Sequence, residues 1–244
     1  MPRHHHRRTT TAWAAALLTL AGCASTQVAS TSQYTGTRLA RPSQVIVAPF
    51  TALTQDVRLD QGVTARVERA VEHEPANQAE LKAARDAQAA LQTALVEALR
   101  AKGLPAEAGR AEAAHGNAML VQGQIVSLDE GNRTRRTLIG FGAGRSSMTS
   151  EVQLFYVAGR AAPQFLESFE AVTAGPRTPG LGLPLGAGAA AGHAGLSAVV
   201  GGTVQGAAEV RRAQSNPDAQ RLADAVAQRV AGFAAGQGWI PPQR

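Results

Sequence analysis

The stretch between Asn77 and Pro105 constrains the fold of this chain more than any other. Asn77 and Glu80 have the spacing of a capping box, which marks the start of a helix. An apolar face then follows at helical spacing, formed by Leu81, Ala84, Leu91, Leu95 and Leu99. Gly103 supplies a helix-ending residue, and Pro105 prevents continuation. The pattern predicts a helix over residues 78–102, and its apolar stripe must pack on a sheet.

Shorter apolar runs predict the strands of that sheet. Residues 44–50, QVIVAPF, contain a short β-branched apolar run that ends at a proline, which indicates an opening strand with both faces covered. Residues 118–128, 133–141, 148–157 and 165–173 predict four successive strands joined by short turns. Such an order favours an antiparallel meander.

Two more segments have helical signals. Val63, Val67 and Val71 recur every fourth residue and favour a helix that Pro75 ends, with an irregular segment as the alternative. The order Asn216-Pro217-Asp218 is typical of a helix start. The buried face of that last helix is formed by Leu222, Val226, Val230 and Phe233, with Gly236 as its end and Trp239 and Ile240 against the core.

The predicted fold is a two-layer α/β (α+β) domain. It has a mainly antiparallel sheet with an opening strand, a long helix on one face and a C-terminal helix. The predicted boundaries are a signal peptide over 1–22, a flexible Ser/Thr-rich tether over 23–42 and the α/β domain over 43–175. A Gly/Ala-rich segment follows over 176–210, and residues 211–244 form a helix packed on the domain.

The N-terminus predicts export and lipid attachment. Arg3, Arg7 and Arg8 make a basic start, and residues 12–21 form an apolar run too short to span a bilayer. The run ends in Leu20-Ala21-Gly22-Cys23, which looks like the lipobox of bacterial lipoproteins. In such proteins the cysteine carries fatty acyl chains such as palmitate and becomes the new N-terminus. Because each buried methylene contributes about 0.8 kcal/mol, several chains anchor a protein stably.

Cysteine usage and charge limit which compartment and which partners we expect for the chain. Cys23 is the only cysteine, so the chain forms no intrachain disulfide. Ala24 follows it, which by resemblance to enterobacterial sorting rules favours the outer membrane, facing the periplasm. Removing residues 1–22 takes away three arginines and no acidic residue, so the net charge falls from +6 to +3. This small excess argues against nucleic acid as a partner.

The Gly/Ala-rich segment has two interpretations. It holds nine glycines between Gly180 and Gly206, several of them four residues apart. Small residues at that spacing let helices approach closely in a membrane, which favours an inserting or oligomerising segment. Pro184 and His193 interrupt it and large apolar residues are few, which favours a flexible or loosely helical segment instead.

The candidate site is the stretch from Asp129 to Gly144. Residues 129–132 predict a hairpin turn, with Asp129 and Glu130 as turn residues or, as the weaker alternative, an acid–base pair of a hydrolase-like enzyme. Gly140, Gly142 and Gly144 are followed by a strand pattern rather than by a helix. They therefore indicate a bulge or tight crossing, not a phosphate-binding loop.

Arg133, Arg135 and Arg136 are the residues predicted to contact a partner, with a solvated strand edge as the alternative. The histidines lack the spacing of metal ligands, and no nucleophile has its motif. We therefore expect no metal, no cofactor and no catalytic residue.

Residues 45–175 resemble a family of uncharacterised bacterial lipoproteins, the domain-of-unknown-function family numbered four-four-one-zero. The resemblance lies in VQGQIVSLDEGNRTRR over 121–136, LIGFGAGRSSMTSEVQLF over 138–155 and FLESFEAVTAG over 165–175. A Gly/Ala-rich stretch after the last strand also fits. The resemblance implies a small α/β domain and supplies no activity or functional residues. The function expected is a non-enzymatic, lipid-anchored module that binds an envelope protein, with a membrane-engaging subunit as the alternative.

Overall fold

The computed structural model describes residues 25–138, 143–159, 161–175 and 204–242. Eight strands and four α-helices occur in these ranges. The strands are β1 (Ser25–Ser32), β2 (Gln44–Val47), β3 (Thr51–Ala52), β4 (Val57–Arg58), β5 (Ala106–Ala108), β6 (Gly116–Asp129), β7 (Ser147–Gly159) and β8 (Gln164–Ala174). The helices are α1 (Val63–Val71), α2 (Ala76–Ala101), α3 (Arg133–Leu138) and α4 (Val204–Gln237).

One mixed, mostly antiparallel sheet organises the molecule, with strand order β1-β8-β7-β6-β2-β5. The strands β6, β7 and β8 form the predicted antiparallel meander at its centre. On the other side of β6, the short strands β2, β3 and β4 pair with it in succession, all parallel to it. All strands that run parallel to β6 therefore point toward the end of the sheet where β6 stops, at Asp129.

The helices α2 and α4 lie together on one face of the sheet and bury the main core. Alternation along β6 and β7 directs Val121, Ile125, Val152 and Leu154 toward the helices. The opposite face has a small cluster of Ile46, Ala48 and Leu120 beneath a short 3-10 helix, Ala111–Ala113. Strand β2 is covered on both faces as predicted, because Val45, Ile46 and Val47 are all buried.

An ion pair links α4 to the sheet through Glu167, which is only 2% exposed. The Nε atom of Arg229 donates to Oε1 of Glu167 at 2.7 Å, and the guanidinium Nη2 contacts the same oxygen. A buried carboxylate without such a partner would be costly, so this pair fixes the position of α4 on β8.

Aromatic side chains close the end of the sheet where β7 finishes and β8 begins. Trp239 stacks on Tyr156 with ring centroids 6.1 Å apart, and its indole N–H donates to the carbonyl of Leu39. The Tyr156 hydroxyl donates to the carbonyl of Ala40 at 3.0 Å. Burial raises the pKa of Tyr156 above its ordinary value. The opposite end of the sheet has no such closure among the described residues.

The predicted fold class is confirmed, and so are the opening strand, the long helix and most of the meander. The α2 helix runs over Ala76–Ala101 with Gly103 at a φ of +84°, close to the predicted bounds. Its start differs, because Pro75 is the N-cap and the Asn77 side chain accepts only from the amide of Gln78. Leu81 is exposed rather than buried, although Ala79 and Ala84 on either side of it are buried.

Part of the predicted flexible tether is wrong. Ser25–Ser32 forms an edge strand that pairs antiparallel with β8, from Ser25 opposite Ala174 to Ser32 opposite Ser168. All eight of its side chains are exposed. The strand is therefore formed by backbone hydrogen bonds to the open edge of β8, and its side chains give no apolar pattern to signal it.

The predicted return strand over 133–141 is also wrong, because residues 133–138 form the short helix α3. Asn132 caps it by accepting from the amide of Arg135 at 2.9 Å. The predicted start of the C-terminal helix at Asn216 is wrong too: α4 begins at Val204 and contains Pro217. A proline lacks an amide donor, and a helix interior can tolerate that loss at the cost of one bond and a kink.

A candidate cleft at the open end of the sheet

A polar cleft of about 690 Å³ lies at the open end of the sheet. Its walls come from the β4 region, from the connection between β6 and β7, and from the start of α2. The lining residues that carry charge are Arg58, Glu80, Asp129, Arg135 and Arg145. The cleft is therefore lined by residues of the candidate stretch from Asp129 to Gly144, together with residues of distant segments.

Four strands begin or end at residues that line this cleft, and β1 begins beside them in the same row across the sheet. Pairing places Ser25 opposite Ala174, Ala174 opposite Ser147, Ser147 opposite Asp129, and Asp129 beside Arg58. Adjacent strands are about 4.8 Å apart, so this row spans roughly 19 Å. The first residue of β1 and the wall of the cleft are thus at the same end of the domain.

Two backbone segments cross closely in the cleft wall. The amide of Asn132 donates to the carbonyl of Gly144 at 2.9 Å. Gly144 has a φ of +69°, and a Cβ atom there would lie 2.3 Å from the carbonyl oxygen of Asn132. Gly131 faces the same crossing, and a Cβ atom there would lie 2.4 Å from the carbonyl oxygen of Gly144. Only glycine fits such a crossing, whereas Gly140 and Gly142 lie outside the described residues.

The two adjacent carboxylates contact different backbone segments. Oδ1 of Asp129 accepts from the amide of Gly131 at 2.7 Å, within its own turn. Oε2 of Glu130 accepts from the amide of Asp60 at 3.1 Å. Asp129 lines the cleft, while Glu130 joins the connection to the β4 region. Each carboxylate therefore holds a backbone segment in place, which is the role of a turn residue.

Arginines give the cleft its cationic character. Of the three predicted contact residues, Arg135 lines the cleft and is exposed; the side chains of Arg133 and Arg136 lie outside the described part of the chain. Sequence reasoning missed Arg58 and Arg145. No local signal marks Arg58, because it enters the cleft only through the parallel pairing of β4 with the end of β6. Guanidinium groups suit bidentate contact with a carboxylate or a phosphate.

The helix α1 adjoins the cleft, and its apolar side faces outward. Its first amide, that of Val63, donates to the hydroxyl of Thr134 in α3 at 3.2 Å. Ala65 is its only buried residue. Val63, Val67 and Val71 are 58%, 55% and 71% exposed. The predicted helix is confirmed, and its valine face points away from the rest of the described domain.

Neither a metal site nor a membrane span is found in the described ranges. No group of three or more histidine, cysteine, aspartate or glutamate side chains is placed to hold a metal ion there. No helix in these ranges is long and apolar enough to cross a bilayer. Cys23 and residues 176–203, which include most of the Gly/Ala-rich segment, lie outside them.

Comparison with known proteins shows the family. The profile of the family described as Domain of unknown function (DUF4410) matches residues 45–194, and the chain belongs to this family. No curated protein gave a significant match. Among solved structures, a dodecamer of a PelC variant from Paraburkholderia phytofirmans is 18% identical, with a TM-score of 0.34, and the alignment covers 65% of this chain and 87% of that one.

Proposed function

We propose that this member of the DUF4410 family is a lipid-anchored envelope lipoprotein of the outer membrane that faces the periplasm. In this proposal the chain catalyses no reaction and works by binding or assembling with another envelope protein. The observation that carries the proposal is the order of a basic start, an apolar run and Leu20-Ala21-Gly22-Cys23. Acylation would explain why the single cysteine stands at that position.

The geometry of the domain supports an anchor at this position. Ser25, two residues after Cys23, begins an edge strand and lies in the same row as the cleft wall. Two residues of chain reach at most about 7 Å. An acylated Cys23 would therefore hold the cleft end of the domain near the membrane surface. A protein that enters the cleft would have to present its acidic group there, to Arg58 or Arg135.

The anchor is tested by the variant Cys23→Ser, compared with the unchanged chain in its native host. The unchanged chain should give a mature N-terminal peptide with the mass of an acylated cysteine, and should fractionate with the outer membrane. The variant should lose the acyl mass and leave the membrane fraction. A variant that stays on membranes without acylation would contradict the proposal.

Sorting can be tested separately with Ala24→Asp, which keeps the cysteine. This variant should still be acylated, and by resemblance to enterobacterial sorting rules it should move to the inner membrane. An unchanged distribution would contradict the outer-membrane assignment and leave the anchor intact.

The cleft is tested by crosslinking in intact envelopes. Arg135→Glu should lose the crosslinked partner, because it places a negative charge where an acidic group would bind. Arg110→Glu is the matched control, since Arg110 is exposed on a loop away from the cleft. Equal crosslinking of both variants would exclude the cleft as the contact surface.

A further inference from the structure

The exposed valine face of α1 has no partner in the described domain, yet it is strongly segregated. At about 100° per residue, Ala65 lies on the side of the helix opposite Val63 and Val67. The buried side of α1 is thus its small and polar side, and the apolar side faces outward. An amphipathic helix with its apolar side outward is the arrangement of helices that lie in a membrane interface.

The position of α1 relates this face to the proposed anchor. Arg58 ends the row that begins at Ser25, and α1 starts only five residues after Arg58. Two hydrogen bonds hold α1 beside the cleft. The amide of Val63 donates to the hydroxyl of Thr134, and Nη2 of Arg69 donates to the carbonyl of Asp60 at 2.8 Å. The next helix, α2, also starts at this end, since Glu80 lines the cleft. The valine face and the attachment point of Cys23 therefore belong to one end of the domain.

We propose that Val63, Val67 and Val71 dock on the surface of the bilayer that holds the acylated Cys23. This inference rests on the proposed function, because the anchor brings this end to the membrane. Apolar side chains of interfacial helices sit about 5–10 Å into the boundary between headgroups and acyl chains. Arg66, exposed on the same helix, would then lie at the level of the lipid phosphates. The domain would be held at two points, which fixes its orientation on the membrane.

The test uses a depth probe on the full, lipidated chain. Because Cys23 is acylated in that chain, Val67→Cys introduces its only free thiol, which is labelled with an environment-sensitive fluorophore. The protein is reconstituted in vesicles of phosphatidylethanolamine and phosphatidylglycerol, with and without spin-labelled lipid. Ala161→Cys is the matched control, since Ala161 is exposed at the opposite end of the sheet, in the connection between β7 and β8.

The expected result is a blue shift of emission and quenching by spin-labelled lipid at position 67, and neither at position 161. Adding Val63→Asp and Val71→Asp to the Val67→Cys chain should return the probe to an aqueous spectrum while the anchor remains. Water-like emission at position 67 would overturn the inference. So would a blue shift without lipid quenching, which indicates a second copy, or a shift that requires added envelope extract, which indicates a protein partner.

Failure of the anchor is distinguishable from failure of docking. The mass of the N-terminal peptide reports acylation of Cys23 independently of the probe. An acylated chain with a water-exposed probe overturns the docking and leaves the proposed function standing. A chain without acylation at Cys23 overturns the proposed function itself.

Discussion

Replacing Gly144 with alanine should destabilise the domain by about 2–4 kcal/mol, whereas the same change at Gly159 should cost only about 1 kcal/mol. Both glycines have left-handed backbone angles, with φ of +69° and +62°. They differ in their surroundings. A Cβ atom at Gly144 would lie 2.3 Å from the carbonyl oxygen of Asn132, whereas at Gly159 nothing lies within 4 Å.

The magnitude follows from separating two costs. An L-residue in the left-handed region costs on the order of 1 kcal/mol, and both variants incur that cost. Only at Gly144 must the backbone also move, because the added Cβ atom would lie 2.3 Å from the carbonyl oxygen of Asn132, which cannot swing away as a flexible side chain could. Overpacking of this kind typically costs about 1–3 kcal/mol. The difference between the two variants therefore isolates the close crossing in the cleft wall.

The assay is equilibrium unfolding in urea of both variants and the parent, monitored by far-UV circular dichroism. The denaturation slope should remain the same in all three, so that the shift in midpoint measures stability alone. Equal destabilisation of the two variants would refute the crossing as a packed element. Glycine at position 144 would then be required only for its positive φ, and the backbone of the cleft wall would be able to shift to accept a Cβ atom.

Two further predictions concern the buried ion pair and the buried tyrosine. Arg229→Leu should destabilise the domain by about 2–3 kcal/mol, which is below the range for a fully buried pair because the Arg229 side chain is 32% exposed. Adding Glu167→Leu should restore much of that loss, and a double variant as unstable as the single one would contradict a buried, unpaired charge as the cause. Burial raises the pKa of Tyr156, so the folded state holds that proton more tightly than the unfolded state does. The contribution of Tyr156 to stability should therefore be constant below about pH 10 and be lost as pH rises through the folded pKa. Urea midpoints measured across this range should show the fall in the parent and a weaker one in Tyr156→Phe.

The sequence predicts those elements whose side chains show their environment. Leu91, Leu95 and Leu99 mark the buried stripe of α2 because a helix packed on a sheet needs an apolar face. The β-branched content of residues 118–128 predicts strand β6, and the fold places its Val121 and Ile125 on the inner face. These patterns depend on local spacing alone, so the two layers and the central meander are readable from the order of residues.

Elements that are formed by backbone pairing cannot be predicted from the pattern of side chains. Strand β1 has eight exposed side chains and pairs through its amides and carbonyls with the open edge of β8. Likewise, α3 replaces the predicted strand because Asn132 caps it and the crossing at Gly144 gives its start a fixed position. Partners that lie far along the chain decide both cases, and no local pattern records them.

For the candidate site, the sequence by itself determined the unusual stretch from Asp129 to Gly144 and one arginine of the cleft, Arg135. Only the tertiary structure decided what the stretch forms. Pairing of β4 beside the end of β6 adds Arg58, and the row from Ser25 places the start of β1 at the same end. The valine pattern of α1 is local and predicts the helix, but which side faces the solvent depends on what packs against Ala65. Spacing determines amphipathicity, and only the assembled fold determines which face is left uncovered.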